Sequence, residues 1–526
     1  MADNKKGQSV RPITTPAGKF IAVGIDFGTT YSGVSWVSAE VWDKSHGNTK
    51  LITDVMRWPQ DGTYRDEEQV PSLIDPENGK WGMGCLSADT NPIRWLKLLL
   101  LDESELTDDF GTSKEFGDSR KRLNENKQYG FLGAVGLIAR FLEKIWSHTL
   151  QMIEEDLGHA INLPLKVAMG VPAMWKPEAR ERLRRAAILA GITDTRYDAK
   201  GIAYATTLRF LEEAEAAATS TLRDRNERMV PEISIGDTFI VCDGGGGTID
   251  AITYMVTSNS PFRAEAVVPG KVSLNGGFRI DRAFEDYLHS AAVQVRFKFS
   301  RCSNHDMRIF LEKEWEWNLK RKFTKDVAKF ALNPPFTAIS RKERWWPSGS
   351  VGPQLKLESE VVAGFFSDSL TGIRRLIGEQ RNLAIEAQVK APRNIFFVGG
   401  LAGSGYLYSE LQEQYYNVHR PNPKHIWSAV ARGAVIMILE SDLSYPVDQE
   451  LTRTRLTHSN ATELDLRLVW HVKERETTSS KTPAAQEFYL DFGREEDTGV
   501  NIRVHVNVAY DAVQDVEPVI LSHELP

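Results

Sequence analysis

The chain has 526 residues, a formal net charge of −7 and 41% hydrophobic residues, enough apolar material to bury sizeable cores in two or three domains. An acidic balance with no long basic stripe excludes general nucleic-acid binding, because nothing is available to neutralise a run of phosphates. Three cysteines, Cys85, Cys242 and Cys302, lack metal-ligand spacing and point to a reducing compartment, and no signal core or membrane-length apolar run is evident. The expected address is therefore the cytoplasm, with the nucleus open, and no membrane partner is expected.

Residues 1–18, carrying Pro12, Pro16 and Gly18, read as a polar tail without order of its own. The alternating apolar positions Ile21, Val23 and Ile25 then lead into Asp26-Phe27-Gly28-Thr29-Thr30-Tyr31, opening a first α/β lobe expected over 19–205. Helices are expected from Val135 to Leu150 and from Glu178 to Ala190. Leu211 to Arg228, charged and alanine-rich, reads as an exposed inserted helix with a solvated face. A second apolar run, Phe239 to Cys242, ends in Asp243-Gly244-Gly245-Gly246-Gly247-Thr248-Ile249-Asp250. It opens a second lobe over 206–428 that includes a long helix from Val361 to Gln388. Trp345-Trp346 lies in a turn-rich stretch and reads either as packing or as a partner contact. Beyond 442 the texture changes: Leu464, Leu466 and Leu468, and then Val500, Ile502, Val504, Val506 and Val508, alternate with polar neighbours as half-buried antiparallel strands do. Residues 442–526 are thus expected to form a small β-rich region.

The two Asp/Gly/Thr stretches, some two hundred residues apart, repeat one pattern: a buried strand ends in a carboxylate, a glycine turn follows, and then a threonine. A carboxylate at a strand end can hold a magnesium ion through its waters. Glycine lets backbone N–H groups approach phosphate oxygens as an anion-binding nest, and Thr29, Thr30 and Thr248 add hydroxyl donors. Four consecutive glycines would otherwise disfavour order by roughly 0.5–1 kcal/mol each relative to alanine, which a bound triphosphate and its metal could offset. Either segment alone is equally an ordinary tight hairpin. The duplication favours a ligand held between two related lobes. Neither a P-loop nor a Gly-x-Gly-x-x-Gly dinucleotide fingerprint is present.

Val23 through Ser32 resembles the first phosphate loop of the seventy-kilodalton heat-shock chaperone family, within the actin-like ATPase superfamily, and Asp243 through Asp250 resembles its second. Further matches follow in the family's order: Gly170-Val171-Pro172-Ala173 before an Arg-rich helix, Gly276-Gly277 with Asp281, the helix around Lys320-Arg321, and Phe396-Phe397-Val398-Gly399-Gly400. Ile52-Thr53-Asp54 with Trp58-Pro59, and Val398-Gly399-Gly400 with Tyr406-Leu407, resemble the divergent fungal and animal branch. The resemblance implies an α/β, two-lobed actin-like ATPase fold with duplicated ribonuclease-H-like lobes, followed here by the small β-rich extension. It further implies a helix over 429–441 that returns to the first lobe as a hinge.

Carried over position by position, the resemblance implies ATP or ADP with Mg2+ as the ligand and hydrolysis by positioning and electrostatics. Asp26 and Asp243 would hold the metal. Thr29, Thr30, Tyr31 and Thr248, with the backbone of Gly28, Gly245, Gly246 and Gly247, would line the phosphates. Lys97 would stand beside the γ-phosphate, although its apolar helix fits a snorkelling lysine as well. Gly276 and Gly277 belong to the nucleotide site. Lys320 and Arg321 would flank the base, or form a solvated helix face, and Gly399, Gly400, Gly403 and Ser404 would pass the adenosine, or form a plain strand-to-helix turn. Two departures stand out. The family's glutamate after the Val-Pro helix is absent or shifted to Asp198, and Trp317 falls where an acid is usual, with Glu316 one step away. Three functions follow as expectations: a slow ATPase acting as a chaperone-like or signalling protein with protein clients or co-chaperone-like partners; a nucleotide-gated scaffold without chemistry; or a small-molecule kinase, for which no acceptor-facing base is assignable.

Overall fold

The computed structural model describes residues 19–440 apart from 61–62, 88–89, 103–113, 126–131, 225–232, 260–261, 291–292, 294 and 341–351, together with 487–489 and 505–507. In the first lobe, strands β1 (Ile21–Phe27) and β2 (Tyr31–Ser38) form a hairpin, and β3 (Thr53–Asp54) and β4 (Gln69–Pro71) pair along β2. Every residue of β1 except Asp26 is buried, the continuous pattern of a strand covered on both faces. Helix α1 (Gly133–Leu157) covers this sheet with Ile138, Phe141, Leu142 and Ile145, spaced three and four apart, and it ends at Gly158, whose φ of 71° makes a left-handed cap. Strand β5 (Leu165–Val171) runs parallel to β1, helix α2 (Pro177–Leu189) starts with proline in its first turn, and β6 (Thr206–Glu212) runs parallel to β5. The sheet order is β6-β5-β1-β2-β3, with β4 also on β2. The first sheet therefore extends past the expected boundary at 205.

Helix α3 (Glu213–Arg223) follows β6 directly and corrects the reading of Leu211 to Arg228 as a solvated insertion. Its Ala216, Ala217 and Ala218 are fully buried. Small side chains are needed there because the last helix of the nucleotide lobes crosses at close range: a Cβ on Gly433 would stand 1.8 Å from the Ala216 carbonyl oxygen.

The second lobe repeats the hairpin. Strands β7 (Thr238–Gly244) and β8 (Ile249–Asn259) are antiparallel, and β9 (Phe262–Ala266) and β10 (Lys271–Ser273) pair along β8. Helix α4 (Gly277–Leu288) precedes a ten-residue π-helix, Leu311–Lys320, and the long helix α5 (Ser367–Glu386) packs under the sheet. Strand β11 (Asn394–Val398) runs parallel to β7, and β12 (Val418–His419) parallel to β11, giving the order β9-β8-β7-β11-β12 with β10 on β8. In both lobes, then, an antiparallel hairpin lies beside a parallel strand, and Asp26 opposite Gly33 and Asp243 opposite Asp250 occupy matching hairpin ends. This is the two-lobed actin-like fold.

Helix α6 (Ala429–Glu440) is buried from Ala429 through Ile438 and packs on β1, β2 and β5 as well as α3. Its Arg432, 1% exposed, donates to the carbonyls of Thr49 and Ile52 and to Asp54 Oδ2. No helix among the described residues is long and apolar enough to cross a membrane. In the C-terminal unit, Glu487–Tyr489 pairs antiparallel with His505–Asn507, within the expected alternating stretch around Val506. The expected strand at Leu464 to Leu468 and the Trp345-Trp346 pair lie outside the described residues.

Candidate nucleotide cleft

The two hairpin loops face each other across a cavity of about 340 Å³. A Cβ on Gly246 would lie 2.1 Å from Thr30 Oγ1, and one on Gly247 would lie 3.0 Å from Thr29 Cγ2, so the second loop touches the threonines of the first with bare backbone. Gly399 reaches the same place from the end of β11. Its φ is +76°, and a Cβ there would stand 2.1 Å from Asp243 Oδ1, so only glycine fits. Gly276 and Gly277 brace the second loop from behind: Gly277 N donates to Gly245 O at 3.0 Å and Phe278 N to Gly246 O at 2.8 Å.

Four carboxylates gather under the loops. Asp26 and Asp243 come from the strand ends, Asp250 from the start of β8, and Glu213 from the first turn of α3. Burial first, and then Glu213, push the Asp26 carboxyl up to about 7, with Lys97 pulling the other way; burial likewise raises Asp250 to about 6 and Asp243 well above its ordinary value. Lys97, 4% exposed, answers this charge by pairing with Glu213 Oε1. Like charges packed out of water favour a cation, so the donor set fits a divalent ion of magnesium type.

Asp198 is not in this group. It sits, half-buried, in the turn between two short strands, Arg196–Tyr197 and Ala203–Tyr204, where it accepts from Lys200 N and Ile202 N at 2.8 Å. The carboxylate that enters the cleft after the Val-Pro helix is Glu213, which sequence reading missed. The signal available was the run Glu212-Glu213-Ala214-Glu215 at the junction of a strand with an alanine-rich helix.

At the far end of the cavity, Lys320 Nζ lies 2.8 Å from Asp281 Oδ1 and 2.9 Å from Glu316 Oε2, and Arg321 Nε donates to Glu316 Oε1 at 2.8 Å. Burial works against ionisation of Glu316, but Lys320 and Arg321 hold its carboxyl down at about 2; burial would lower Lys320, yet Asp281 and Glu316 raise it. The Arg321 guanidinium stacks over Trp317, 3.8 Å from the ring centre, and over Trp427, 4.4 Å away. The acid moved by one position is explained by the π-helix: i→i+5 winding places Glu316 on one face with Arg321, and Arg321 N donates to Glu316 O. Tyr31 enters this end from the first lobe, its hydroxyl raised to about 12 by burial and then by Glu316.

The cavity is thus lined by Asp26, Gly28, Thr29, Thr30, Tyr31, Lys97, Asp243, Gly245, Gly246 and Thr248 near the loops, and by Gly277, Lys320, Arg321, Gly399, Gly400, Gly403 and Ser404 beyond them; Gly247 and Gly276 stand just behind its wall. No protein-family model matches the chain. The chain is similar to Heat shock 70 kDa protein 12A of Homo sapiens, at 20% identity over 83% of this chain and 71% of that protein. The Mus musculus protein of the same name is 20% identical over 85% of this chain and 73% of its own length. A chaperone protein HscA homolog of Acinetobacter baumannii is 23% identical over 55% of this chain and 40% of that protein. By these likenesses and by its duplicated lobes around one cleft, the chain is similar to heat-shock-protein-70-like proteins and has their actin-like ATPase fold.

Proposed function

We propose that the cleft binds ATP or ADP with magnesium and that the protein is a slow ATPase acting as a nucleotide-regulated chaperone-like or signalling protein. The observation that carries this reading is the meeting of the two Gly/Thr loops above four carboxylates and one buried lysine. Loop amides and the hydroxyls of Thr29, Thr30 and Thr248 offer donors to phosphate oxygens from two sides. Asp26 and Asp243 are the residues that would hold the metal, with Asp250 supporting from β8. When bound, the metal supplies positive charge to the transferring phosphoryl group. Lys97 is positioned to exchange Glu213 for a phosphate oxygen, and Glu213, so released, orients a water together with Asp243. With Glu213 in the cleft, the large rate loss implied by a missing glutamate no longer follows. The names of the relatives, heat shock protein and chaperone, support protein clients or co-chaperone-like partners.

Calorimetric titration of ATP and ADP with and without magnesium, followed by single-turnover hydrolysis, tests this on wild type and Asp243→Asn. Metal-dependent binding with turnover lowered about 10²–10³-fold in the variant is expected; no binding by wild type overturns the reading. The Lys97–Glu213 pair favours one alternative, a scaffold that closes on nucleotide without hydrolysing it, because both groups are already engaged with each other. Binding without single-turnover product selects that alternative.

A further inference from the structure

The cavity has two chemically distinct ends, and only one of them suits phosphate. At the other end the polar groups are engaged among themselves: Lys320 with Asp281 and Glu316, Arg321 Nε with Glu316, and Ser404 Oγ with the Leu407 N–H. What this end presents is flat surface. Trp427 stands with its six-membered ring against the Gly400–Gly403 turn, where a Cβ would come within 2.8 Å of the ring at Gly400 and 3.0 Å at Gly403. Arg321 lies over the same indole and over Trp317, so three planar groups form one stack along the cleft wall. The first lobe holds the Trp427 backbone in place: Gln69 Nε2 donates to Trp427 O at 2.6 Å, and the adjacent Ser428 Oγ donates to Asp54 Oδ2 at 3.2 Å. Trp427 also lines the cavity that holds the Gly/Thr loops.

We infer that Trp427 is the platform on which the ligand's base stacks, extending the Trp317–Arg321–Trp427 stack, and that the site takes purine nucleotides with little discrimination between adenine and guanine. This rests on the nucleotide reading above and adds to it how the base is held. Stacking on an aromatic face is tolerant of base identity because every base has a π-face, whereas discrimination needs edge hydrogen bonds, and the charged groups Lys320, Asp281 and Glu316 are paired with one another. A ligand that offered only phosphates would leave this end of the cavity unused.

The test is calorimetric binding of ADP, GDP and inorganic tripolyphosphate, each with magnesium, to the full chain as wild type, Trp427→Ala and Trp427→Phe. In wild type, ADP and GDP are expected to bind within tenfold of each other. Trp427→Ala should weaken both nucleotides about ten- to hundredfold, the range of one base–aromatic stack, and leave tripolyphosphate within twofold, while Trp427→Phe restores most of the nucleotide affinity. Equal weakening of nucleotide and tripolyphosphate assigns Trp427 a merely structural role and overturns the inference. So do an unchanged or tightened ADP affinity in Trp427→Ala, or a wild-type preference for ADP beyond tenfold. Should wild type bind neither nucleotide nor tripolyphosphate, the nucleotide reading itself fails, whereas tripolyphosphate binding that survives every change at Trp427 leaves the phosphate end standing.

Discussion

The two ends of the cleft handle buried charge in opposite ways. Under the Gly/Thr loops, four carboxylates face Lys97, and burial lifts three of them above their ordinary range. At the stacked end, Glu316 and Asp281 meet Lys320 and Arg321, and Glu316 is held down at about 2. The first end sets four carboxylates against one lysine; the second balances its charges within itself. A site can therefore carry much charge without much of it being meant for the ligand, and the sign of a neutralising substitution tells which is which.

Asp243→Asn breaks the first end. It should lower magnesium-nucleotide turnover by about 10²–10³-fold, the usual cost of removing one positioned polar group, while raising the denaturation midpoint of the ligand-free protein because a crowded carboxylate is gone. Loss of function accompanied by a lower midpoint would refute the contrast. Glu213→Gln sharpens it within the same end: single-turnover hydrolysis should fall by about 10²-fold with ADP affinity retained, since the carboxyl is asked to position water rather than to hold the ligand. Lys320→Met is the mirror experiment at the balanced end. It leaves Glu316 and Asp281 without their shared partner and should cost about 2 kcal/mol in denaturant unfolding, below the full value for a buried pair because the Asp281 side chain keeps 38% of its exposure.

The smallest effect belongs to Glu68, beside the seam where the first lobe meets the segment leading into α6. Burial, and then the charge of Asp54, push its carboxyl from 4.5 up to about 7, and its Oε2 has no hydrogen-bond partner. The folded protein thus holds this proton more tightly than the unfolded chain does. The stability it contributes is full below about 4.5 and is lost as pH rises through 7. Glu68→Gln, which imitates the protonated acid, should match the wild-type Tm near pH 4.5 and exceed it by roughly 1–2 °C at pH 8. A gap that widened toward low pH would contradict the assignment.

Much of this architecture was legible in the residues. The two apolar runs ending in Asp26 and Asp243 are strands because both are buried on both faces, and their glycine and threonine turns meet because the duplicated lobes bring matching hairpin ends together. Three features were not legible, each for a physical reason. Glu213 was hidden because a short hairpin, Arg196 to Tyr204, and the whole of β6 separate it from the Val-Pro helix, so the acid sought near Asp198 arrives later in the chain. The alanines after it looked like a solvated face, yet they are small because another helix lies within contact of their backbone. The displaced acid at Glu316 depends on π winding, which a 3.6-residue period cannot anticipate. Nothing in the sequence sets Trp427 apart from a packing tryptophan; what distinguishes it is the Arg321 guanidinium lying over its ring.

The crossing of α3 and α6 at Ala216 and Gly433 has a mechanical meaning. Glu213 begins the first of these helices, and Trp427 stands two residues before the second. With a backbone carbonyl seated where a side chain would otherwise lie, the two helices meet backbone to backbone at this crossing, and any residue larger than glycine at 433 would prise them apart. Glu213 at the phosphate loops and Trp427 at the stacked end are therefore set by one helix pair, packed along its length by Ala217, Ala218, Val430 and Met437 and tied at its far end by Arg223 and Glu440.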